Sequence, residues 1–131
     1  MTGSVLGAGL AAAAAVLALG GCASTQEGDV RDVAAAFVDP AATPDARCDL
    51  LAPATREALE SEESAPCPDV LGELPLDGGT IESVEIWGGN AQVRMPGDAV
   101  FLTETPTGWR VVAAACESRG EAPYDCEAEG P

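Results

Sequence analysis

The feature that most limits what this chain can fold into is the uncharged stretch from Val5 to Leu19, which runs directly into Leu19-Gly20-Gly21-Cys22. An apolar run of about fifteen residues suits a signal-peptide core and falls short of the roughly 20 that a membrane-spanning helix needs. Small residues ahead of a cysteine at the end of such a run form a lipobox. Lipoprotein signal peptidase cleaves the bond before that cysteine once its thiol carries a diacylglyceryl group. Residues 1–21 are therefore expected to be a signal peptide, with Cys22 as the lipidated first residue of the mature chain. Whatever folds must do so within residues 22–131. One part of the pattern is missing, since signal peptides open with Lys or Arg and the first charged residue here is Glu27. A basic segment upstream of Met1 or an atypical signal would account for that. An Ala-rich structural helix ending in an ordinary cysteine fits less well, because such a helix shows a polar face and Gly3 to Cys22 has almost none.

Assigning Cys22 to lipid turns an odd cysteine count into an even one. Of five cysteines, Cys48, Cys67, Cys116 and Cys126 remain. Outside the cytoplasm such residues form disulfides, and four of them allow three connectivities. The pairing Cys48 with Cys67 and Cys116 with Cys126 is favoured, because each pair brackets one local segment, the first between helical stretches and the second closing a C-terminal turn. A zinc site is disfavoured, since no pair has CxxC spacing and the chain has no His.

Charge narrows the partners. The chain has six Arg, no Lys and twenty-two acidic residues, all of them after the signal, for a net charge of −16. Nucleic acid is excluded as a partner on this basis, because its binding relies on cationic side chains neutralising phosphates. The same charge repels anionic headgroups, so the domain is expected to stand off the membrane on its lipid. The partners expected are the membrane, through the N-terminal lipid, and an unidentified protein or small ligand. No cofactor is expected.

Residues 22–28 are polar and short, and read as a tether, with a single domain over 29–131. Val30, Val33, Ala34 and Phe37 recur at helical spacing, with Asp29 as the cap and Pro40 as the stop. Thr43-Pro44 is an N-cap followed by proline at the first helical position, opening a helix that carries Cys48, Leu50 and Leu51 inward. Pro53 starts a third helix through Leu59, ended by the polar stretch Glu60 to Ser64, and Cys67-Pro68 begins another turn. After Gly79 the residues become β-branched and aromatic, broken by turns at Gly88-Gly89-Asn90, Pro96-Gly97-Asp98 and Pro106-Thr107-Gly108. Four strands in a meander are expected at 80–87, 91–95, 99–105 and 109–116. In the second, Ala91, Val93 and Met95 alternate with Gln92 and Arg94, which predicts one covered and one wet face. In the third, Val100-Phe101-Leu102 is continuous, which predicts cover on both. The fold class is α+β, with N-terminal helices packed on a curved four-stranded antiparallel sheet.

Several segments carry a family likeness: Cys48-Asp49-Leu50-Leu51-Ala52-Pro53-Ala54-Thr55-Arg56, Val84-Glu85-Ile86-Trp87-Gly88, Gly97-Asp98-Ala99-Val100-Phe101-Leu102 with Gly108-Trp109-Arg110-Val111, and Pro123-Tyr124-Asp125-Cys126. In these the chain resembles small actinobacterial lipoproteins similar to the nuclear transport factor 2-like, or cystatin-like, superfamily. The resemblance implies a curved sheet wrapped by helices into a cone with a central pocket. It implies no activity, because that fold hosts enzymes, binders and structural modules alike.

Enzymes on that scaffold such as ketosteroid isomerase use pocket Asp and Tyr residues, so the resemblance directs attention to those types. The single Tyr, Tyr124, falls in the tail between Cys116 and Cys126, away from the four expected strands, and is expected to pack under the disulfide. Asp98 sits in a Pro-Gly-Asp turn, where its side chain is expected to bond the local backbone. Without His, nucleophilic Ser-His and Cys-His sites and His general bases are ruled out. The acidic groups Glu60, Glu62, Glu63 and Asp125, Glu127, Glu129 lack the glycine and spacing of an EF-hand loop and read as solvated surface. Trp87 and Trp109 read as core residues. No catalytic set is assigned, and the expectation is a membrane-anchored extracytoplasmic binding module. The alternative is a pocket enzyme or a small-hydrophobe carrier.

Overall fold

The structure is a computed structural model describing residues 2–4, 9, 21–76 and 78–131, with residues 21–24 described by backbone alone. Among the described residues four helices precede five strands: α1 (Gly21–Val38), α2 (Pro44–Leu50), α3 (Pro53–Glu63), α4 (Cys67–Gly72), β1 (Ser83–Trp87), β2 (Asn90–Met95), β3 (Asp98–Thr105), β4 (Gly108–Arg119) and β5 (Ala122–Glu129). The strands form one antiparallel sheet in the order β1-β2-β3-β4-β5. The class is α+β, but the sheet has five strands where four were expected. The stretch read as a closing turn between Cys116 and Cys126 is instead a hairpin, and Cys116 stands directly opposite Cys126 in its register.

The helix starts follow the punctuation in the chain. Thr43 is extended, and its side-chain oxygen accepts from the Ala46 amide at 3.2 Å, with Pro44 next to it in the first turn. α3 and α4 also open on proline-containing turns, at Pro53 and at Cys67-Pro68. The second helix ends at Leu51, whose backbone leaves to bridge Val111 of β4. α3 continues through the polar residues to Glu63, past Leu59. α1 differs more, because residues 22–28, expected as a tether, are helical and Asp29 is inside the helix rather than at its cap. Nothing in Ala23-Ser24-Thr25-Gln26-Glu27 breaks a helix. Glu27 meets Arg31 at 3.3 Å one turn on, a contact that favours helix over coil by a few tenths of a kcal/mol.

One face of the sheet packs on the helices. Val30, Ala34 and Phe37 of α1, Leu59 and Leu71, and Val93, Val100, Leu102, Trp109 and Val111 of the sheet form one buried cluster. A disulfide between Cys48 and Cys67 ties α2 to α4 inside it, and a second between Cys116 and Cys126 joins β4 to β5. These are the pairs expected. Arg47, on α2, is 7% exposed and donates through Nε to the Phe37 carbonyl and through Nη2 to the Asp39 carbonyl, each at 2.8 Å. Its charge therefore sits at the C-terminal end of α1, where the helix dipole favours a cation.

Candidate functional site

Two regions concentrate polar chemistry beside open space. The first begins with the tight β2–β3 turn, where Gly97 has φ of 75° and leaves Asp98 as the opening residue of β3. Asp98 Oδ1 accepts from the Ala99 amide at 2.6 Å and from the Cys116 amide at 2.9 Å. The second donor is available because the β3–β4 ladder is irregular, with the register shifting between Phe101 and Leu102, and because Ala115 adopts φ of 54° just before Cys116. The carboxylate thus takes the place of a ladder carbonyl. Burial pushes the Asp98 carboxyl above its usual range, against the lowering effect of the Cys116 and Ala99 amides. Clefts of about 200 Å³ and about 420 Å³ flank it, the first bounded by Pro75, Gly78 and Glu127, the second by Glu82, Arg94 and Tyr124. Asp98 can exchange a proton or bond a ligand here, but its clefts lie at the sheet's end and open to solvent.

The second region is the sheet face without helices. Gln92 of β2 stands opposite Phe101 of β3, and Tyr124 of β5 lies edge-on to the Phe101 ring, with centroids 5.3 Å apart. The Gln92 amide donates to the Tyr124 hydroxyl at 3.2 Å. Ala99, Ala113 and Cys116 complete a small second cluster with Phe101, Tyr124 and Cys126. This explains why Gln92, expected on the wet face, is only 8% exposed. It also corrects the placement of Tyr124, which is on a strand of the sheet while still packing beside the disulfide. Next to the cluster is a recess of about 350 Å³ lined by residues that include Phe101, Val112, Pro123 and Tyr124.

The other sequence candidates are dispersed. Trp109 is core at 5% exposure, but Trp87, expected to be core as well, is half exposed at the end of β1. Glu60 pairs with Arg56, and Asp125 with Arg119; Glu62, Glu63, Glu127 and Glu129 face solvent. Among the described residues no three His, Cys, Asp or Glu side chains converge as a metal site. Leu19 and Gly20 of the lipobox lie outside the described residues, and Gly21 and Cys22 are described by backbone alone, in the first turn of α1. No described helix is long and apolar enough to cross a membrane. The Gln92–Phe101–Tyr124 arrangement was missed because Tyr124 was not assigned to a strand. The alternation of Tyr124, Cys126 and Ala128 with Asp125, Glu127 and Glu129 is the signal that points to one. The chain matches no known family model, characterised protein or solved structure.

Proposed function

We propose that this protein is a lipid-anchored extracytoplasmic binding module, held to the cell membrane through Cys22, that takes a protein or small ligand without transforming it. The observation that carries the reading is the lipobox Leu19-Gly20-Gly21-Cys22 together with the state of the other cysteines. Once Cys22 is set aside, the remaining four are joined in two disulfides, as suits an oxidising compartment. The helix-facing side of the sheet is filled by Val93, Val100, Leu102 and Trp109. The helix-free face offers the Phe101–Tyr124 recess, an apolar floor with the Gln92–Tyr124 polar pair beside it, as binding sites generally do. Helices followed by an antiparallel sheet also suit the nuclear transport factor 2-like cone as a wider scaffold.

Asp98 favours the second reading, a pocket enzyme or carrier, because a partly buried carboxyl of raised pKa beside a cleft is what acid–base chemistry uses. A photo-crosslinking residue placed at Val112 or Pro123 in cells tests the binding reading. It should give a discrete adduct that the same probe at exposed Glu57 on α3 does not. Equal labelling at both positions, or loss of the adduct on Asp98→Asn with retention on Tyr124→Ala, would move the site away from this face.

A further inference from the structure

Antiparallel order places the β1–β2 and β3–β4 turns at one end of the sheet and the β2–β3 and β4–β5 turns at the other. The two ends differ in charge. Residues 87–90 and 103–110, at the first end, hold one acid, Glu104, and one base, Arg110. Residues 96–98 and 117–125, at the second, hold Asp98, Glu117, Glu121 and Asp125 against Arg119. In a chain of net charge −16, the two turns at the first end are together neutral. This end also carries Trp87, 50% exposed and, among the described residues, the one large apolar side chain left open to solvent.

The start of α1 lies at this same end. Gln26 and Glu27 share a cleft of about 510 Å³ with Val84, Ile86 and Gly88, whereas Val38 and Asp39, at the other end of α1, share one with Gly79 and Ile81. α1 is continuous from Gly21, so Cys22 precedes Gln26 by about 6 Å of helix rise. The attachment point is therefore carried on a helix that reaches the same end of the sheet as Trp87, over Val84, Ile86 and Gly88, rather than on a loose tether. Arg110 is held at the adjacent turn, donating to the Trp109 carbonyl at 2.8 Å and the Thr107 carbonyl at 3.2 Å.

We propose that this end of the sheet rests on the lipid bilayer, with Trp87 in the headgroup layer and the acidic β2–β3 and β4–β5 turns facing away. The proposal rests on the reading of Cys22 as lipid-bearing. An indole prefers the boundary between headgroups and acyl chains; here the two flanking turns balance Glu104 with Arg110, and Glu27 at the start of α1 is paired with Arg31, leaving Glu85 as the added carboxylate. The orientation leaves the Asp98 clefts at the far end, open to the extracytoplasmic space.

The test uses the full mature protein isolated with its membrane anchor and reconstituted into phosphatidylcholine vesicles with and without brominated acyl chains. The Trp87 signal is the difference between the parent and Trp87→Phe. A reporter at the opposite end is made by adding Glu121→Trp to Trp87→Phe. Trp87 emission should be quenched by brominated lipid and roughly twofold less accessible to acrylamide than the Glu121→Trp reporter, as expected for an indole in the interface; the reporter should be unaffected by bromine. If mass spectrometry finds the lipid on Cys22 but brominated lipid leaves Trp87 unquenched, or quenches both reporters equally, the docking proposal is overturned and the anchor stands. If Cys22 carries no lipid, both fail.

Discussion

Replacing Arg47 by Met measures how the helical layer is held together. The guanidinium is nearly inaccessible and donates to the carbonyls of Phe37 and Asp39, each at 2.8 Å. Met has similar length and suits the buried stem, so it removes the donors without leaving a large void. A buried charge costs desolvation, and replacing an ion pair by apolar groups can be neutral when both partners go. Here the two carbonyls stay, turned toward a side chain that no longer donates. Hydrogen bonds to charged groups contribute about 1.5–3 kcal/mol each, and two made by one side chain do not add fully. Offset by the desolvation relieved, a loss of about 2–4 kcal/mol is expected, which at about 4–8 °C per kcal/mol for a small domain lowers Tm by roughly 8–32 °C. Urea unfolding of the disulfide-intact protein, followed by circular dichroism, should give a lower midpoint at unchanged slope. Arg47→Lys should fall between, since one ammonium cannot reproduce a fork of donors. Exposed Arg31→Met should change stability by less than about 0.5 kcal/mol. An Arg47→Met protein within that same margin of the parent would refute the reasoning.

Three further outcomes follow from the structure. Removing either disulfide by paired Cys→Ala substitutions should cost about 3 kcal/mol, and Cys48/Cys67 should cost about 0.5 kcal/mol more than Cys116/Cys126, because it closes the longer loop, 19 against 10 residues apart; the reverse order in chemical unfolding would show that native packing, not loop closure, dominates. Asp98 has a raised carboxyl pKa, so its stabilising contribution is present below the unfolded value of 3.8 and is lost as pH rises through the folded value. Asp98→Asn keeps an acceptor for both amides, so its stability relative to the parent should climb with pH from about 3.8 upward; a flat or falling difference across a pH series of unfolding curves would contradict the burial argument. Tyr124→Phe should lose the Gln92 hydrogen bond at a cost of about 1 kcal/mol while keeping the ring contact with Phe101, whereas Tyr124→Ala should cost markedly more by thermal melt.

The parts of the fold that were legible are those marked by local chemistry. Thr43-Pro44, Pro53 and Cys67-Pro68 each announce a helix start, and the glycine-containing turns divide the strands. Val30, Val33, Ala34 and Phe37 identified the buried stripe of α1, although its beginning was placed too late. Polar composition at 23–28 says nothing against helix when the neighbouring turn is already helical and packed. β5 was missed because Pro123 and its charges resemble a tail, and an edge strand tolerates both, needing only one face covered and one row of hydrogen bonds. The candidate site was harder to read because it depends on register. Asp98 was assigned to its local turn, which Ala99 bears out, but its bond to the Cys116 amide exists only because β4 is irregular near Ala115. Residue type alone marks Trp87 as core; its position at the end of edge strand β1 leaves it nothing to pack beneath.

Intact-mass measurement of the membrane-fraction protein reads directly whether Cys22 bears lipid. The expected chain begins at Cys22 and exceeds the mass of residues 22–131 by a diacylglyceryl group, with that increment absent from Cys22→Ser. A parent protein with no lipid increment, retained in the membrane fraction to the same extent as Cys22→Ser, would contradict the assignment of Cys22 to lipid.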